Sequence, residues 1–278
     1  MLGVLGDLIE DIVVTLGGPI QLASDTESRI VRRRGGSAAN VAAAAASLGH
    51  RARFLGQVGD DAIGTALVAE LAVAGVDTDA VRRGGSTGTI IVLVDEQGER
   101  SMLTDRRSCR DLDKPDPAWL DGITTLHVPL YGLDGGALAA TARTLTSWAR
   151  EQTIAVSIDA SSTALVDALG GRTATRGLIT ELAPDVLFAN DDEATALGID
   201  NAELAPLTVV KRGAAAALVY RPGVATVEVP TAPLPALTDS TGAGDAFAAG
   251  FLTADWRMDP IGATDAGHRA AAALLTER

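Results

Sequence analysis

The stretch "DSTGAGDAFAAGF", Asp239 to Phe251, sets a carboxylate behind three positions that carry almost no side chain, Gly242, Ala243 and Gly244. The residues from Ala246 to Leu252 are apolar and predict a packed helix, which puts Asp245 in its first turn. Such a helix start exposes unpaired N–H donors and the positive end of the dipole, and bare residues let an anion approach them. Asp245 is then either a cap, since acids are favoured there on electrostatic grounds, or a base beside a bound anion. The local sequence leaves both readings open. Three other groups could serve the same chemistry. Gly35-Gly36 is followed by Asn40 inside an alanine-rich run, and alone reads as a turn. Asp11 interrupts an apolar strand, where a carboxylate is costly to bury without partners. "NDDE", Asn190 to Glu193, follows the apolar "VLFAN", and Glu193 alone reads as part of a solvated helix face.

The elements that must position these residues are predicted from periodicity. From about Ala118 onward short apolar runs ("TLHVP", "IAVSIDA", "VLFAN", "LTVVK") alternate with helical ones (Leu138–Arg150, Thr175–Leu182, Asp191–Leu197). That rhythm indicates a mostly parallel sheet covered on both faces. "ALVY" and "TVEVP", spaced by Pro222-Gly223, predict a later antiparallel hairpin. "MLGVLGDLIEDIVV" reads as one first buried strand. "GSAANVAAAAASLG", "ARFLGQV" and Asp61–Ala74 then continue as helix, strand, helix. Two segments break the rhythm: 28–34, and 87–104 with its turn at Gln97-Gly98. Both read as strands that meet in a small second sheet, a lid over a cleft. The expectation is one domain over 1–278 with the lid strands inserted, and no internal repeat.

With 278 residues, 47% of them hydrophobic, the chain can bury a large core. A net charge of −13 argues against nucleic acid or an anionic membrane surface as partner, though not against a small phosphorylated ligand held by backbone amides or a cation. The apolar stretches are too short to span a bilayer, the N-terminus lacks the basic flank of a leader, and the single cysteine, Cys109, fits a reducing compartment; the expectation is cytoplasmic. The three histidines, His50, His127 and His268, show no metal-ligand spacing.

Two common phosphate loops are excluded by the residues themselves. The nearest approach to a Walker loop, Gly59 to Thr65, lacks the lysine, and "GDLIEDIV" supplies no dinucleotide fingerprint after the first strand. Asp239–Gly250 instead resembles the C-terminal signature of the ribokinase-like (PfkB) sugar kinases. "GGSAANVA" with "LGQVGDDAIG" resembles their N-terminal signature, and Asn190–Glu193 their N-x-x-E motif, in the right order.

The resemblance implies a three-layer α/β/α fold with a β-sheet lid, and ATP-dependent phosphorylation of a hydroxyl on a small sugar or sugar acid. It implies Asp245 as the base and the N–H groups of Gly242, Ala243 and Gly244 as the anion hole for the moving phosphoryl. Asp11, Gly36 and Asn40 would touch the sugar. Asn190, Lys211 and Gly213 would lie along ATP, and Glu193 would hold Mg²⁺ through water. Asp239 and Thr241 match part of a monovalent-cation (K⁺) site, although the chain stops at "LLTER" without the tail that helps build it. Ile9 and Ser37 stand where ribokinases carry an asparagine and a lysine, which argues against ribose itself. Arg107, beside Arg106 in "TDRRSC", reads either as a partner for a carboxylate or phosphate on the substrate or as part of a solvated basic turn. Apolar lid residues Ile30, Ile91 and Leu93 need cover, which together with the resemblance implies a homodimer through the lids. Two alternatives are carried: a nucleoside kinase of the same family, disfavoured by an aromatic content of 3%, and a non-catalytic ligand-binding or regulatory module on the same fold.

Overall fold

The computed structural model of the chain describes residues 1–232 and 240–276. Among these, a nine-stranded sheet begins with β1 (Leu2–Leu5) as an interior strand, flanked by β4 (Ala52–Val58) and β8 (Thr125–Pro129), both parallel to it. Beyond β4 lies β5 (Val81–Arg83). Beyond β8 come β9 (Ala155–Asp159), β10 (Val186–Asn190) and β11 (Leu207–Lys211), all parallel. The antiparallel hairpin of β12 (Ala217–Arg221) and β13 (Val224–Val229) closes that edge.

The central strands are buried on both faces and read as continuous apolar runs, because helices cover each side. On one side α3 (Gly136–Glu151), α4 (Thr163–Ala168), α5 (Gly171–Leu182) and α6 (Asp191–Leu197) pack through Leu138, Leu145, Ile179 and Leu197. On the other, α1 (Ser37–Ser47), α2 (Ala62–Val73), α7 (Ala243–Thr253) and α8 (Pro260–Thr276) pack around Phe54, Phe188, Phe247 and Phe251. The Phe188 and Phe251 rings meet edge-on with centroids 5.1 Å apart, the favoured aromatic geometry. His127 is buried in the sheet with Nδ1 3.1 Å from Ser157 Oγ; burial pulls its pKa down to about 4, so it is a neutral core residue. Among the described residues no helix is long and apolar enough to cross a membrane.

The lid is a four-stranded sheet in the order β3 (Ser28–Gly35), β2 (Ile9–Leu16), β6 (Thr89–Val94), β7 (Arg100–Asp105). This corrects the reading of the N-terminus as one buried strand. The chain leaves the main sheet after Leu5 at Gly6, where φ is +155°, and β2 then crosses into the lid. Asp11 therefore stands on a lid strand opposite Arg33 rather than in the central sheet. The two inserted segments do meet as a second sheet, but through β2 between them.

Candidate active site

Three neighbouring parallel strands each end on a polar residue: Asp159 on β9, Asn190 on β10 and Lys211 on β11. Carboxyl ends of parallel strands are where an open α/β sheet leaves room for a ligand. Here they open into a cavity of about 760 Å³, closed on its far side by the start of α7 and by α8. Its lining includes Asn190, Glu193, Lys211, Gly213, Gly242, Ala243, Gly244 and Asp245, so the expected nucleotide and transfer residues share one space.

Gly242 caps α7 with φ +80°, a left-handed conformation that glycine adopts without strain. Among the described residues no acceptor pairs with the N–H of Gly242 or Gly244, whereas Ala243 N–H donates to the Ser240 carbonyl at 3.1 Å. The ready donors are thus the two glycines, and Ala243 is held in a turn. A Cβ built on Gly244 would come 3.3 Å from Lys211 Nζ, so that ammonium sits against the bare helix start. Lys211 is buried and bonds Asp159 at 2.6 Å.

Asp245 is clamped at both oxygens. Ser37 Oγ donates to Oδ1 at 2.6 Å and Asn40 Nδ2 donates to Oδ2 at 2.9 Å, both from α1. Burial pushes its pKa up to about 6, and these two hydrogen bonds oppose the rise. Neither donor belongs to the start of its own helix. An N-cap would accept from the N–H groups two or three residues on, so the clamp is not a capping arrangement.

The glycine pair before α1 is fixed by close approach. A Cβ on Gly36, whose φ is +98°, would lie 2.2 Å from the Asp7 carbonyl oxygen. One on Gly35 would lie 2.1 Å from Asp11 Oδ1. Asp11 Oδ1 is itself buried with no hydrogen-bond partner among the described residues, and burial raises the carboxyl's pKa. An acceptor of that kind calls for a donor from outside the chain. Arg33 Nε approaches the other oxygen at 3.9 Å.

Asn190 caps α6 in a reciprocal capping box. Its Oδ1 accepts from Glu193 N–H, and both Glu193 oxygens accept from Asn190, each bond 2.8 Å. Burial and then the neighbouring Asp159 charge push Glu193 up to about 7. Three carboxylates, Asp159, Glu193 and Asp245, thus line one cavity against two cations, Lys211 and Arg212. A hydrated divalent cation fits that imbalance, and the box leaves Glu193 suited to hold it through water.

The arginines differ from expectation. Arg107, expected to face the substrate, is half-exposed and bonds Asp105 at 2.7 Å, away from the cavity lining. The reason is local: at Arg107 φ is +40°, and a short 3₁₀ turn over Arg107–Arg110 buries Ser108 and Cys109 beneath it. Arg106 is the inward one. It grips Asp7 with Nε and Nη2 at 2.7 and 2.8 Å and donates to the Tyr131 carbonyl, a fixed structural pair. Thr241 Oγ1 accepts from Arg100 of the lid, so a guanidinium lies where a monovalent cation was expected to draw on Thr241. Asp239 lies outside the described residues. Sequence reasoning missed Arg34, Asp159 and the clamp from Ser37. Only Asp159 carried a signal, an acid at the end of an apolar strand.

Residues 4–278 match the family described as pfkB family carbohydrate kinase. An ATP-dependent ribose-1-phosphate kinase from Halopiger xanaduensis is 36% identical over 260 residues, covering 85% of this chain and 78% of that protein. A fructokinase from Klebsiella pneumoniae is 31% identical over 264 residues, covering 90% and 82%. Among solved structures, adenosine kinase from Sinorhizobium meliloti superposes with a TM-score of 0.86 at 25% identity, covering 99% of this chain and 93% of that one. With the match running from residue 4 to residue 278, the chain belongs to the pfkB family of carbohydrate kinases.

Proposed function

We propose that the protein transfers the γ-phosphoryl group of ATP to a hydroxyl of a small sugar, with Asp245 as general base. The observation that carries this reading is the placement of Asp245. It is clamped by Ser37 and Asn40 and stands one residue past the unpaired N–H of Gly244, in the cavity that Lys211 and Asn190 also line. The acceptor hydroxyl gives its proton to Asp245 as its oxygen bonds to the γ-phosphorus, and the bond to the β-phosphate oxygen breaks to release ADP. A loose transition state of this kind asks the protein for position and charge rather than covalent chemistry. The Gly242 and Gly244 N–H groups and the Lys211 ammonium supply that charge on the phosphoryl oxygens. Asn190 and Gly213 lie along the nucleotide. Mg²⁺ held through water by Glu193 would neutralise the phosphates.

Asp11, Gly36 and Asn40 form the acceptor side. The orphaned Oδ1 of Asp11 takes a sugar hydroxyl as its donor. Since Arg107 is turned to Asp105, a charged group on the acceptor has no support from that residue. The names of the relatives define the panel to assay: ATP consumption with D-fructose, ribose 1-phosphate and adenosine, each with and without Mg²⁺. Turnover of either sugar supports the reading; turnover of adenosine alone moves the protein to the nucleoside kinases. ATP binding without turnover of any acceptor, together with an unchanged profile in Asp245→Asn, would leave only a binding module. A homodimer through the lids belongs to the same proposal.

A further inference from the structure

We propose that Arg34, on lid strand β3, is a positioning residue for the base: it fixes the amide of Asn40 so that this amide donates to Asp245. The inference rests on the reading of Asp245 as the base. Arg34 Nη1 donates to Asn40 Oδ1 at 2.9 Å, and Asn40 Nδ2 donates to Asp245 Oδ2 at 2.9 Å. An amide can be turned either way, but a guanidinium only donates and a carboxylate only accepts. With Arg34 on one side and Asp245 on the other, a single orientation satisfies both contacts. The reversed amide would set NH₂ against the guanidinium and carbonyl oxygen against the carboxylate. Arg34 is anchored from its far side, where Nε meets Glu70 Oε1 of α2 at 3.2 Å, and its side chain is only 16% exposed.

The relay Glu70–Arg34–Asn40–Asp245 therefore runs from an outer helix, through the lid, to the base. Arg34 lies on the lid and Asn40 on α1, so moving β3 away would release the amide, and the lid position is read directly at the base. The cation also opposes burial, which otherwise favours the protonated carboxyl. Other charged and polar groups facing Asp245 are Ser37 on α1, Lys211 at the end of β11 and Asp159 at the end of β9; Asp11 on β2 faces Arg34.

The test follows the carboxyl itself in the protein without ligands. Asp side chains are labelled with ¹³C, and the Asp245 resonance is assigned by its loss in Asp245→Asn. In Arg34→Gln the titration midpoint should rise, with a gain in proton affinity of about tenfold. Arg34→Lys should shift it less, because the cation is kept, but the planar fork is lost and the Asn40 side-chain amide protons should exchange with water faster than in wild type. If Gln prevents folding, the Lys variant still decides through that exchange. A midpoint and an amide exchange rate unchanged in the variants, with only the melting temperature lowered, would overturn the proposal and leave Arg34 a structural residue. Transfer activity that survives Asp245→Asn would instead sink the base assignment, which this titration does not depend on.

Discussion

In the proposed role of general base, Asp245 has to be ionised at the working pH although burial disfavours its charge. Burial raises its pKa to about 6, so it is charged at neutral pH and loses its charge as the pH falls. The sign follows directly. Protonation removes the base, so kcat/KM should be level above about pH 7 and fall about tenfold per unit below the pKa, measured with saturating Mg²⁺. Asp245→Asn keeps the shape but cannot accept the proton, and turnover should fall by about 10²–10⁴-fold while ATP binding, followed by calorimetry, is retained. Near-full activity in that variant would leave Asp245 a structural residue that ties α7 to α1. Asp11 makes a different contribution. Its unpaired Oδ1 is expected to bond the acceptor, so Asp11→Ala should raise the acceptor KM by roughly ten- to a hundredfold, the worth of a charged hydrogen bond, with a smaller change in KM for ATP.

At the scale of elements, two helix starts and three strand ends converge. The start of α7 brings the bare amides and Asp245, the start of α1 brings the two donors that hold that carboxylate, and β9, β10 and β11 deliver Asp159, Asn190 and Lys211. The junction from β3 to α1 has no slack. Gly36 has φ +98°, and a methyl there would strike the Asp7 backbone. Gly36→Ala should therefore destabilise the fold by about 2–3 kcal/mol and displace Ser37 and Asn40 together. Chemical denaturation measures the first effect and kcat the second. A variant as stable as wild type would mean that the loop can shift at little expense.

The whole molecule is a covered sheet with an uncovered lid. Strand register places Ile12, Val14, Ile30, Ile91, Leu93 and Leu103 on one face of the lid sheet, with Ile30 62% and Leu103 58% exposed. Both edge strands of this sheet, β3 and β7, carry such residues. An apolar face of this kind is stabilised by a second copy laid across it by a two-fold axis. Light scattering at micromolar concentration should report a dimer, and Ile30→Glu should report a monomer that keeps its fold by circular dichroism. A monomeric wild type would remove the dimer without touching the kinase chemistry.

Most of the architecture was legible because local signals agree with the fold. The strands "TLHVP", "VLFAN" and "LTVVK" form over the residues that their apolar runs mark, and α6 spans Asp191–Leu197 as read. The start of α7 was legible too: Gly242 caps it and Asp245 stands in its first turn, as the apolar run from Ala246 indicates. What the sequence could not decide is which side chain faces which. The break at Gly6 that sends Asp11 into the lid lies between two short apolar runs, Leu2–Leu5 and Leu8-Ile9, and the single Gly6-Asp7 step between them reads locally as a glycine and an acid within one strand. Arg106 and Arg107 are adjacent and alike in type, and only the packing of the 3₁₀ turn and the carboxylate of Asp7 turn one inward and the other out. The clamp on Asp245 joins residues 205 and 208 positions apart, and Arg34 meets it through Asn40 across the Gly35-Gly36 junction between β3 and α1. Backbone preferences and apolar periodicity are local and can be read along the chain; the partners of a charge are set by whatever the closed fold brings within a few ångströms of it.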